Sequence, residues 1–123
     1  KAAGSVINIS SVWGLEAGER AVAYCASKGG LQLLTRAMAR DHARDGVRCS
    51  AICPGGVDTP MLAGEAEEQG LDVDDYLAMV AEGSPNGRIA APEDIAALAL
   101  FLASDAASHI TGTSIPCDGG VMA

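Results

Sequence analysis

The chain has 123 residues, 49% of them hydrophobic and 20% charged, with a formal net charge of −8. The apolar content is too high for a disordered segment, the length suits at most one domain, and the acidic balance argues against nucleic acid or an anionic membrane surface as partner. No apolar run reaches the ~20 residues of a membrane-spanning helix, and no signal-peptide pattern stands at the start. The four cysteines, Cys25, Cys49, Cys53 and Cys117, include no C-x-x-C pair, and His42 and His109 lie far from them in sequence. Such spacing does not suggest a metal site. Buried, reduced thiols and a cytoplasmic setting are expected instead.

In chain order, residues 5–9 (SVINI) are a β-branched run that predicts a buried strand. Residues 10–20 read as a loop with Gly14 and Gly18, carrying the single tryptophan, Trp13, as a cover for a site or as packing. A helix is expected over 23–44, with Leu31, Leu34 and Met38, beside Leu33 and Ala37, as its apolar stripe. Gly29 and Gly30 each cost that helix about 1 kcal/mol against alanine, which suggests close approach of another backbone or a partner helix. Arg36, Arg40 and Arg44 recur on a face that reads as solvated, and Gly46 ends the segment. Residues 47–53 (VRCSAIC) predict a second strand, stopped by Pro54-Gly55-Gly56.

Residues 59–84 are the least regular stretch. Their acidic run, Glu65, Glu67, Glu68, Asp72, Asp74 and Asp75, is expected on solvated surface, with Asp72 capping a short helix. A long insertion after a strand suits a lid, and Met61, Leu62, Tyr76 and Met79 suggest an apolar pocket beneath it. Pro92 opens another helix, whose run 95–102 (IAALALFL) predicts deep burial. Residues 113–117 (TSIPC) predict a last strand. Pro116 there has no N–H for a ladder, so that strand belongs at a sheet edge.

Strand, helix, strand is a βαβ unit, which requires parallel strands, and open parallel sheets bind ligands beyond the carboxyl ends of their strands. Ser11 follows the first strand and the Pro54-Gly55 turn follows the second, so both fall on one edge, where Tyr24 begins its helix. Tyr24 and Lys28 stand four apart, one helical turn, on one face. An ammonium beside a phenol favours the phenolate. A free tyrosine titrates near ~10, so this pairing predicts a phenol that exchanges protons nearer neutrality. Ser11, thirteen positions before Tyr24, is placed to hold a carbonyl or alcohol oxygen near it. Taken singly, Y-x-x-x-K is usually a solvated helix face and a serine after a strand usually a cap. Their combination, in this order and between these strands, is far less ordinary.

The pieces NISS (Asn8 to Ser11), YCASKGG (Tyr24 to Gly30), CPGGVDTP (Cys53 to Pro60) and PEDIA, FLASD, ITG and DGG towards the end follow one another as they do in the classical short-chain dehydrogenase/reductase family. The chain resembles the C-terminal half of that family over essentially its whole length. The resemblance implies an α/β, Rossmann-like, doubly wound parallel sheet, of which residues 1–123 supply the last three strands of a single dinucleotide-binding oxidoreductase domain. It implies NAD or NADP as cofactor and a small-molecule secondary alcohol or ketone as substrate. Tyr24 would be the acid/base, Lys28 would hold the nicotinamide ribose and charge the phenol, and Ser11 would position the substrate oxygen. Pro54, Gly55, Val57 and Thr59 would line the nicotinamide, with the Val57 backbone meeting its carboxamide. Family members are dimers or tetramers, so a homo-oligomer is expected.

The family's glycine-rich phosphate loop, the residue that selects NAD or NADP, and the asparagine of its proton relay have no counterpart in these residues. The expectation is therefore a partial sequence of an enzyme about twice as long. Two other readings compete with an oxidoreductase: an inactive dehydrogenase-like binding or assembly module, against which the complete Ser11, Tyr24 and Lys28 set counts, and a nicotinamide-assisted epimerase or dehydratase on the same fold.

Overall fold

The computed structural model describes residues 3–123. Three strands, β1 (Gly4–Ile9), β2 (Val47–Pro54) and β3 (Ser114–Cys117), form one sheet in the order β1-β2-β3, both pairings parallel. The β1–β2 register runs from Gly4 opposite Val47 to Ile9 opposite Ile52, and the β2–β3 register from Ala51 opposite Ser114 to Pro54 opposite Cys117. β2 is therefore central, and residues 49–53 are buried without interruption. That burial explains why its sequence is nearly continuous in small and apolar residues rather than alternating. Among the described residues β3 pairs on one side only, and Pro116 stands exposed there, as expected of an edge.

Two long helices cover the two faces. α1 (Val22–His42) lies on the face bearing Asn8, Cys49 and Cys53, and α4 (Pro92–Ala103) on the face bearing Ile7, Ile52 and Ile115. On the α4 side Ile52, Leu102 and Ala107 form the buried centre, with Ile95, Leu98, Ala99 and Ile110 packed round it. The chain thus carries the doubly wound arrangement in its smallest form, one helix per face of a parallel sheet.

The face α1 turns to the sheet is not its leucine stripe. Gln32, Thr35 and Ala39 are buried, whereas Leu33 and Leu34 are 67% and 49% exposed. Thr35 Oγ1 bonds the Leu31 carbonyl (2.7 Å) and accepts from Asn8 Nδ2 (2.9 Å), so polar groups that satisfy one another occupy the interface. The apolar run of α4 is likewise half open: Leu100 is 74% exposed, with Phe101 beside it exposed too. The spacing of apolar residues along a helix cannot tell a face that meets this sheet from one that meets something else. Gly29 and Gly30 are not where backbones crowd; the space beside Gly30 is empty and a side chain on Gly29 would make only an ordinary contact.

The stretch read as irregular folds into two helices, α2 (Pro60–Glu68) and α3 (Val73–Glu82). Asp72 caps α3 as expected, its carboxylate accepting from the Asp75 N–H (3.1 Å). α2 leaves little periodic mark in the sequence because it follows a Pro-Gly-rich turn and contains Gly64. Tyr76 Oη joins the two helices by donating to Glu65 (3.1 Å), and burial, followed by that carboxylate, raises the Tyr76 pKa. Of the four residues expected to line an apolar pocket, Met61 and Met79 are exposed and Leu62 and Tyr76 half-buried. Most of the acidic run is exposed, as are Arg40 and Arg44.

Arg48 reaches from β2 to the carbonyl end of α4, where Nη1 donates to Leu102 (2.7 Å) and Ala107 (2.9 Å) and Nη2 to Ser104 (3.1 Å). Carbonyls at a helix end lack partners within the helix, and a cation there also meets the helix dipole favourably. Arg48→Met should therefore lower the stability of the intact protein by about 1.5–3 kcal/mol in urea unfolding, the range for hydrogen bonds to charged groups. The Ser50 hydroxyl is buried without a partner among the described residues. Ser50→Ala should raise stability by about 1 kcal/mol in the same assay, and a loss would show that the hydroxyl is bonded after all.

Candidate active site

β1 ends at Ile9, and one further ladder bond, Ser10 N–H to the Ile52 carbonyl (2.8 Å), carries the chain to Ser11. Ser11 is buried and extended (φ −165°), and starts a single turn of 3-10 helix, Val12–Gly14. Its Oγ accepts from the Trp13 N–H at 3.1 Å. The loop then folds back over the first turn of α1. Trp13 meets Tyr24 edge to face, ring centroids 6.1 Å apart at 85°, and its indole lies over Gly18, where any Cβ would strike it. The Gly18 N–H points at the half-buried Cys25 sulfur (3.5 Å).

Tyr24 and Lys28 share a face of α1, as their spacing requires. Lys28 Nζ donates to the Ile9 carbonyl (3.0 Å) and lies 5.7 Å from the centre of the Tyr24 ring. The ammonium is thus pinned between the last carbonyl of β1 and the phenol, within cation–π range. Ser11 joins this pair through Trp13, which it caps and which packs on Tyr24. The close backbone approach occurs at Gly14: a Cβ there would stand 2.7 Å from the Lys28 carbonyl oxygen and 2.9 Å from Ser10 Oγ.

The second group of residues follows β2. Pro54 ends that strand, and the Gly55 N–H reaches the Cys117 carbonyl (3.3 Å), with the space for a Gly55 side chain filled by Asp118. Val57 forms a parallel bridge with Ala90, made by the Gly56 carbonyl (3.1 Å) and the Asp58 N–H (2.9 Å). In such a bridge the N–H and C=O of Val57 itself point the other way. Thr59 occupies the N-cap position of α2, and its side chain makes no cap bond. Ser11, Tyr24 and Lys28 sit at the carboxyl end of β1, and Pro54, Gly55, Val57 and Thr59 at the carboxyl end of β2, on one edge of the sheet.

A family model described as enoyl-(acyl carrier protein) reductase matches residues 1–122. The crystal structure of a short-chain dehydrogenase family protein from Francisella tularensis superposes with a TM-score of 0.88 at 34% identity, over 96% of this chain and 50% of that one. The chain belongs to the short-chain dehydrogenase/reductase family. Among curated members it is 45% identical to the meso-2,3-butanediol dehydrogenase of Serratia marcescens, over all of this chain and 46% of that enzyme. A structure from Beutenbergia cavernae, described as a candidate NAD(P)-dependent gluconate 5-dehydrogenase with NADP bound at low occupancy, has a TM-score of 0.87 at 38% identity, over 98% of this chain and 46% of that one. The chain spans about half the length of the curated relatives it matches. No helix among the described residues of this short-chain dehydrogenase/reductase is long and apolar enough to cross a membrane.

Two residues that shape the site carried no signal in the sequence. Gly14 was one glycine among fifteen. Gln32 lay inside what reads as an apolar stripe and is 4% exposed. Because the obstacle at Gly14 is main chain, it cannot swing away as a side-chain tip would. Gly14→Ala should cost about 1–3 kcal/mol, the usual penalty for overpacking, and lower the thermal midpoint of the intact protein. An unchanged midpoint would show that the loop takes up the methyl without disturbing α1.

Proposed function

We propose that this chain is the C-terminal, catalytic half of an NAD(P)-dependent oxidoreductase that interconverts a secondary alcohol and a ketone. The observation that carries the proposal is the clamping of Lys28 between the Ile9 carbonyl and the Tyr24 ring, one loop away from a buried serine hydroxyl. The names of the relatives, a butanediol dehydrogenase among them, support the substrate class. The free edge of β1 and the length of the relatives support a partner half that continues the sheet. Exposed leucines on α1 and α4 suit burial against that half or against further copies, in a homodimer or homotetramer. A cytoplasmic location goes with this reading.

The turn after β2 fits a nicotinamide: Val57 offers an N–H and a C=O outside its bridge to Ala90, and Thr59 an uncapped hydroxyl. Pro54 and Gly55 set the direction of that turn against Asp118. A bound nicotinamide supplies or accepts the hydride, and the protein's residues handle position and protons. In alcohol oxidation the phenolate of Tyr24 takes the hydroxyl proton. In ketone reduction the phenol returns it to the oxygen. Ser11 Oγ holds that oxygen, and the Lys28 ammonium stabilises the negative charge that appears on the phenol oxygen. Both acts depend on fixed geometry more than on strong binding, since general acid–base catalysis needs its groups within hydrogen-bonding reach.

In the intact protein a panel of secondary alcohols with NAD and NADP should give nicotinamide reduction followed by absorbance. Tyr24→Phe, which keeps the ring against Trp13, should lower the rate by about 10²–10⁴-fold with an unchanged circular dichroism spectrum. Turnover at the wild-type rate would remove Tyr24 from the mechanism.

A further inference from the structure

Beneath the edge that carries Ser11 and Lys28 lies a buried polar cluster centred on Gln32, one helical turn below Lys28 on α1. Ser114, on β3, donates its hydroxyl to Gln32 Oε1. The opposite side of the amide is then the donor, and Nε2 bonds Ser10 Oγ (2.8 Å) and Cys53 Sγ (3.0 Å). Ser10 Oγ, accepting from Gln32, donates its own hydrogen bond to the Lys28 carbonyl (3.1 Å). One side chain therefore joins all four parts that meet at this edge: the turn after β1, the Lys28 turn of α1, the end of β2 immediately before Pro54, and β3.

Gln32 and Ser10 are buried, and so is Cys53. Burial raises the Cys53 pKa, against which the Gln32 amide, Arg36 and the Ser11 backbone act in the other direction. Cys53 is thus an uncharged thiol that serves as an acceptor. A buried network in which each member is satisfied is rigid, because breaking any bond strands a polar group away from water. Such rigidity is what a site needs if its groups are to stay in reach of a reacting oxygen.

We infer that Gln32 is a positioning residue for the reaction, holding the Ser10–Ser11 turn and the Lys28 turn in register with the Cys53–Pro54 strand end. This rests on the oxidoreductase reading above. Gln32 touches none of the reacting atoms and acts through Ser10, the neighbour of Ser11, and through the main chain of Lys28.

The test uses Gln32→Met in the intact protein, which keeps the length and bulk of the side chain and removes every hydrogen bond. The readouts are kcat per folded molecule, KM, the isotope effect with deuterated alcohol, and amide hydrogen exchange at residues 10–15 and 54–57. Expected are a fall in kcat of about tenfold or more, a smaller change in KM, and faster exchange in both segments. A residue that only stabilises the fold would lower the thermal midpoint and leave kcat of the folded enzyme and local exchange as they were, which would overturn the inference. Should Gln32→Met fail to fold, Ser114→Ala frees the far end of the amide alone and is read by the same criteria. If wild-type protein turns over no alcohol or ketone with either dinucleotide, the oxidoreductase reading fails, and exchange alone then decides whether Gln32 holds these turns.

Discussion

Parallel pairing of β1 on β2 is the constraint from which the rest of the structure follows. Parallel neighbours cannot be joined by a tight turn, so the chain must travel the length of the sheet between them, and α1 is that return path. The pairing brings the carboxyl ends of both strands to one edge and the first turn of α1 back to the same place. Ser11 and the Pro54 turn, remote in sequence, share one edge for this reason, and the loop through Trp13 brings Tyr24 to it. β2, buried on both faces, supplies the rigid reference against which all three are set.

The Lys28 ammonium adds a second constraint on a finer scale. A lysine side chain on a helix surface ordinarily samples many rotamers, and a pair of long charged side chains in water contributes little. Here its nitrogen bonds the Ile9 carbonyl, which the alternation of the parallel ladder turns away from β2. The same contact ties α1 to β1 at the point where the chemistry is expected. The close approach at Gly14 and the network around Gln32 act on the same short stretch of helix from the loop side and from the sheet side. Three kinds of contact therefore converge on one turn of helix: a charge on a carbonyl, a missing side chain, and a buried amide.

Among the described residues α1 and α4 keep exposed apolar faces, and β1 pairs on one side only. An element in a doubly wound fold is apolar wherever it meets another layer, and this chain matches relatives about twice its length. Of the expected stripe Leu31, Leu34 and Met38, with Leu33 and Ala37 beside it, Leu33, Leu34 and Ala37 are exposed and Leu31 and Met38 only half-buried. The face that does meet the sheet is written in Gln32, Thr35 and Ala39, residues with no hydrophobic period to advertise them. Periodicity reports that a face will be covered without saying by what.

Local rules placed the strands, α1, α4 and the Asp72 cap from sequence alone, because β-branched runs, Pro at a first helical position and Gly after a helix end act over a few residues. The order of strand, helix and strand also determined which residues would share an edge, since parallel topology leaves little choice. Tertiary structure alone decided how those residues are held: which carbonyl the Lys28 ammonium finds, which glycine admits the loop, and which buried amide binds four segments together. These depend on distances between parts remote in the chain, set by packing to a fraction of an ångström, and no pattern within ten or fifteen neighbouring residues records them.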